Sequence, residues 1–215
     1  RFRQLVIKNK KRYNQKRKMI INTDLLFIHI PKTGGRFIYH LFKNSGHLCY
    51  NDSFKKEYDN VEVAHLNSLQ TNNYYPSSTM FKKFTVVRDP INKFVSTLRN
   101  TLHANDILIN NMFESESNFF NIVNNLRRTK TNNWFEPQVN FIEYNTKVWK
   151  FEKGLDKDFF EWINNNFYLT LNSPDSETIN NYLHEPTYKH NVDLNEKQKN
   201  YIKNYYYQDY KILNY

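Results

Sequence analysis

Continuous apolar runs alternate along this chain with stretches whose apolar residues recur at helical spacing. Leu25-Leu26-Phe27-Ile28-His29-Ile30 is a mainly apolar run of strand length, and Phe84-Thr85-Val86-Val87 is a second, β-prone one. Behind the second, Ile91, Phe94, Val95 and Leu98 recur as on one face of a helix; Pro90 suits its first turn and Asp89 the cap before it. Along the whole chain the pattern predicts strand 25–30, helix 36–44, strand 61–65, strand 84–87 and helix 90–103. It continues with a polar helical stretch around 114–128, a helix from about Pro137 to Tyr144, strand 147–151, helix 156–167 and a final helix 194–212. Strands alternating with helices imply an α/β fold, a mostly parallel sheet flanked by helices. Ligands of such sheets bind beyond the carboxyl ends of the strands.

Length and charge divide the chain into an arm and a body. At 215 residues it fits one domain, since single domains run to about 250 residues. The net charge of +10 is not spread evenly, because nine of the 31 basic side chains lie within residues 1–18, where there is no acidic one. The remainder, with 22 basic and 21 acidic residues, is close to neutral. The expected organisation is a basic arm over 1–20 and a single domain over 21–215, the arm being either a solvated tail or a contact for a polyanion such as nucleic acid, an anionic membrane or a glycan. The lone Cys49 excludes an intramolecular disulfide and fits a reducing compartment. No apolar run approaches the roughly 20 residues that span a bilayer, and no signal peptide is found, so a cytoplasmic location is expected. An anchor upstream of Arg1 stays open.

The candidate chemistry starts where the first strand ends. Of only four glycines, two stand together in Pro31-Lys32-Thr33-Gly34-Gly35, between that strand and a helix. Glycine lets successive backbone N–H groups approach one anion, and the helix adds its positive N-terminal end. Lysine precedes the glycines here, whereas the nucleoside-triphosphatase loop places it after them, so that reading fails. Arg88, in Arg88-Asp89-Pro90, falls at the carboxyl edge of the second strand, 56 residues after Lys32. Its planar fork suits a phosphate. Ser96 lies about two turns into the following helix, where its hydroxyl can face the same pocket. His65 ends the run Val61-Glu62-Val63-Ala64-His65 and, on a parallel strand, would share that edge.

These segments resemble the sulfotransferases that use 3′-phosphoadenosine 5′-phosphosulfate (PAPS), and among them the carbohydrate O-sulfotransferases of the heparan sulfate 2-O and 6-O and chondroitin types. The resemblance covers about residues 25–215 and is closest around 28–35 and 84–96. It implies a P-loop-like sulfotransferase fold, with PAPS as cofactor, the corresponding bisphosphate PAP as product, and no metal. Lys32, Thr33, Gly34 and Gly35 would then hold the 5′-phosphosulfate, Lys32 also acting in catalysis, and Arg88 with Ser96 would hold the 3′-phosphate. Arg36 and Phe37 stand where the family has a hydroxyl pair, and they are counted with the cofactor-binding residues, Arg36 supplying charge in place of a hydroxyl. The resemblance makes His65 the base that takes the proton of an acceptor hydroxyl. Trp134-Phe135-Glu136-Pro137-Gln138 is similar to a Trp-x-x-x-Gln element, which implies that Trp134 and Gln138 bind the acceptor, a glycan or another hydroxyl compound. Val148-Trp149-Lys150-Phe151-Glu152 resembles a later strand of the family. Arg127, Arg128 and Lys130 form a basic cluster, either a solvated helix face or an attraction for an acidic glycan. The competing function is a non-catalytic protein that binds nucleic acid or a sulfated glycan.

Overall fold

The computed structural model describes residues 20–21, 24–47, 49–50, 57–58, 61–74, 76–102, 112, 115–128, 133–172, 174 and 192–215. The basic residues 1–18, His103 and Lys130 lie outside the described residues. Seven strands and seven α-helices are described. In chain order they are β1 (Ile20–Ile21), β2 (Leu25–Ile28), α1 (Gly35–Asn44), β3 (Cys49–Tyr50), β4 (Glu57–Tyr58), β5 (Val61–Glu62) and α2 (Ser68–Tyr74). There follow β6 (Lys82–Val87), α3 (Pro90–Leu102), α4 (Glu116–Arg128), β7 (Thr146–Lys150), α5 (Lys157–Phe167), α6 (Glu196–Tyr205) and α7 (Tyr207–Leu213).

The fold is α/β. Its main sheet has the order β3-β1-β2-β6-β7, in which β2, β6 and β7 are parallel while β1 and β3 form an antiparallel edge. The sheet is therefore parallel only in its three-stranded core, and Ile20, placed with the arm on charge grounds, is already paired in it with Leu26 and Tyr50. Central β6 is buried from Lys83 to Val87, as a strand covered on both faces must be. Successive residues of β2 feed opposite faces. Leu25 and Phe27 pack with Phe37, Ile38, Leu41 and Phe42 of α1 and with Phe159, Ile163 and Phe167 of α5. Leu26 and Ile28 pack with Val87, Phe141 and Leu213. A third cluster joins Phe94 and Leu98 of α3 to Phe119 and Val123 of α4 and to Ile202 and Tyr206. Lys83, buried inside β6, is neutralised by Glu143 just before β7.

Three predicted elements differ. The strand expected over 61–65 does not join the main sheet: only Val61 and Glu62 are extended, paired antiparallel with β4, and Val63–His65 form a 3-10 turn. An acidic residue in the middle of the run unsuits it to a strand buried on both faces. The helix expected from Pro137 to Tyr144 is one 3-10 turn, Gln138–Phe141: the Asp209 carboxylate caps its first N–H groups, those of Gln138 and Val139, and the turn stops where Ile142 becomes extended. The final helix breaks at Tyr206, whose hydroxyl reaches inward to the carbonyl of Phe135 at 2.8 Å. Among the described residues no helix is long and apolar enough to cross a membrane.

Candidate active site at the carboxyl rim of the sheet

Beyond β2 the backbone takes a left-handed conformation at alternate positions, Lys32 with φ 66° and Gly34 with φ 87°. Alternation of hand turns successive N–H groups toward one side, the geometry of an anion nest. At Lys32 it is also a conformation that non-glycine residues seldom adopt and that concentrates at functional loops. Thr33 closes the turn: its hydroxyl donates to the Ile30 carbonyl at 2.8 Å. The two glycines are required for different reasons, Gly35 by a protein neighbour and Gly34 chiefly by its left-handed backbone. A Cβ on Gly35 would lie 1.9 Å from Nε2 of His29, and one on Gly34 would lie 2.6 Å from Cδ1 of Leu155.

Arg88 stands one residue past the last rung of the ladder between β6 and β7, Val87 opposite Lys150. Its Nη1 lies 3.4 Å from the Lys32 carbonyl oxygen, and its guanidinium carbon lies 4.8 Å from the centre of the Phe151 ring. The Lys32 ammonium donates to Oδ1 of Asn100 at 3.3 Å and lies 5.9 Å from the Trp134 ring centre. Asn100 is one helical turn beyond Ser96, so buried Ser96 shares the face of α3 that meets Lys32. Arg36 is exposed on the first turn of α1, which carries no acidic residue.

His65 comes to this rim without being on a strand. Its imidazole, 3 % exposed, sits with its ring centre 4.7 Å from that of His29 and 5.5 Å from that of Trp134. Asn133 holds the turn by donating to the His65 carbonyl at 2.7 Å. Burial holds the His29 imidazole well below its usual range, and its electrostatic coupling to the neighbouring His65 ring and to the Arg36 and Lys32 charges pushes the same way. His29 therefore stays neutral beside the loop.

Lys32, Thr33, Gly34, Gly35, Arg88, Ser96, His65 and Trp134 thus converge, with Arg36 at their edge. Two expected members do not. Phe37 is wholly buried in the core between α1 and α5, and its side chain is unable to contact a cofactor. Gln138 is also fully buried, and its carboxamide is bonded to the backbone of Arg88, which removes it from contact with an acceptor. Arg127 of the basic cluster is committed to helix packing: its guanidinium stacks 3.4 Å from the Tyr205 ring centre and donates to the Tyr201 hydroxyl. Asn100 and Asn133 are contacts the sequence left unmarked, and Phe151 was marked only as part of the segment Val148–Glu152, without a role. Of the two asparagines, Asn100 had a signal in its one-turn offset from Ser96. Among the described residues no group of three or more His, Cys, Asp or Glu side chains is placed to hold a metal ion. Compared with known proteins, the chain matches no family model, no curated protein and no solved structure.

Proposed function

We propose that this chain is an O-sulfotransferase that moves a sulfuryl group from PAPS to the hydroxyl of an acceptor, in the first place a carbohydrate. One observation carries the reading: Lys32 and Arg88, 56 residues apart, meet at one rim with 3.4 Å between the guanidinium and the loop carbonyl. The donor set suits a nucleotide carrying more than one phosphate, because the N–H nest and Lys32 meet the Arg88 fork at one rim, with Ser96 on the adjoining helix. On the same grounds we read the α/β fold as the P-loop-like sulfotransferase fold.

When bound, PAPS supplies an activated sulfuryl group. Lys32 and the N–H groups of Thr33, Gly34 and Gly35 would hold the 5′ end and oppose the negative charge that develops there. Arg88 and Ser96 would hold the 3′-phosphate and reject nucleotides lacking it. His65 would accept the proton of the acceptor hydroxyl at a ring nitrogen, and its burial between two rings shields it from bulk water. Trp134, next to both His65 and Lys32, offers a flat face for a sugar ring. Thermal melting with PAP, AMP and ATP tests the binding half, since a ligand held only by the folded state raises the melting temperature. PAP should raise it most, and equal shifts for all three overturn the reading. In the same preparation His65→Ala should lower turnover with labelled PAPS and a glycan panel by about 10²-fold or more.

A further inference from the structure

The ladder between β6 and β7 ends at the rung of Val87 with Lys150, and the place beside the Arg88 backbone goes to a side chain. Gln138 takes that place. Its Oε1 accepts from the Arg88 N–H at 2.8 Å, and its Nε2 donates to the Arg88 carbonyl at 2.7 Å. The carboxamide thereby extends the sheet by one residue. Its own orientation is fixed from the far end of the chain: Asp209 on α7 accepts from Nε2 at 3.4 Å, from the Gln138 N–H at 2.9 Å and from the Val139 N–H at 3.0 Å. A carboxylate only accepts, so the Nε2 group must face it and the oxygen must face Arg88. Both side chains are wholly buried, which protects these bonds from exchange with water.

We infer that Gln138 and Asp209 are positioning residues that lock the backbone of Arg88, and so determine how well the site recognises a phosphate on the ribose end of its nucleotide. The inference rests on the sulfotransferase reading, with Arg88 as the 3′-phosphate anchor. The Phe151 face and the bond to the Lys32 carbonyl guide the Arg88 guanidinium, and neither of these two contacts fixes its Cα. The lock acts on the arginine assigned to the 3′-phosphate, so the loss should fall chiefly on nucleotides that carry that phosphate.

Calorimetric titration of PAP and AMP against the full chain and three variants, Gln138→Met, Gln138→Glu and Asp209→Asn, tests this. Loss of a residue that orients a binding group costs about 10–100-fold at metal sites, and PAP affinity should fall by at least the lower figure in each variant while AMP affinity holds. The PAP/AMP preference therefore shrinks at unchanged fold, monitored by circular dichroism. If Gln138→Met loses its cooperative melt, the near-isosteric Gln138→Glu and Asp209→Asn carry the comparison. A preference for PAP that survives in the folded variants, or equal losses for both nucleotides, overturns the inference alone. An unaltered chain that does not prefer PAP overturns the sulfotransferase reading, and the inference with it.

Discussion

At Gly35 the space that a side chain needs is filled by the His29 ring, 1.9 Å from where a Cβ would stand. That ring is held between Phe27 and His65, so it cannot swing away as the end of a flexible chain would. Gly34 is a different case, since its Cβ would meet the tip of Leu155, which can rotate, and the cost is mainly the left-handed backbone. We expect Gly35→Ala to destabilise by about 3 kcal/mol through overpacking and Gly34→Ala by about 1–2 kcal/mol through strain. Urea denaturation checks the order, and in a His29→Ala background the cost of Gly35→Ala should largely vanish, because the two changes share one contact. The glycine pair was legible in the sequence as the loop's defining feature. Its cause was not, because a short-range motif shows a flexible backbone without showing which distant ring presses on it.

On α3, Lys93, Ser96, Thr97 and Asn100 fall at helical spacing and form a polar stripe beside the apolar one. Lys93 is buried and donates to the carbonyls of Trp134 and Glu136 at 2.9 and 3.1 Å, and Asn100 meets Lys32, so the helix ties the segment around Trp134 to the loop. Burial pushes the Lys93 ammonium down to about 8 from 10.5, against the opposing pull of Asp209 and Glu136. Between those two values the unfolded chain binds a proton that the folded one does not, so stability rises as pH climbs through this window and falls back as pH drops through about 8. Denaturant midpoints taken from about pH 7.5 to about pH 9.5, below ordinary tyrosine ionisation, should increase, and Lys93→Met should flatten the rise. The apolar face of α3 and the strands on either side of the loop were readable because they obey simple periods. The run around His65 was misleading, since its alternation has the period of a strand and only Glu62 in its middle argues against one buried on both faces. The break at Tyr206 was not readable, being imposed by a hydrogen bond to Phe135, 71 residues away.

Across the whole molecule, charge and architecture point to different places. The body has 22 basic and 21 acidic residues, so a nucleotide at the rim would be attracted by the local arrangement of Lys32, Arg36 and Arg88 and by the loop N–H groups, not by a net field. The nine basic side chains of residues 1–18 account for nearly all of the net charge, and at physiological salt the influence of any charge fades over about 8 Å. The architecture adds a dependence that no charge pattern reveals: the helix after Tyr206 supplies Asp209, which grips Gln138, which in turn grips Arg88, so three distant segments meet beneath one side chain. If the rim alone holds the nucleotide, a chain lacking residues 1–18 should show the same PAP-induced rise in melting temperature as the full chain, while its retention on a sulfated polysaccharide column falls to lower salt. Should the PAP effect disappear with the arm, the grip would reside in general basic charge, and the protein would be a binder of polyanions whose loop has another purpose.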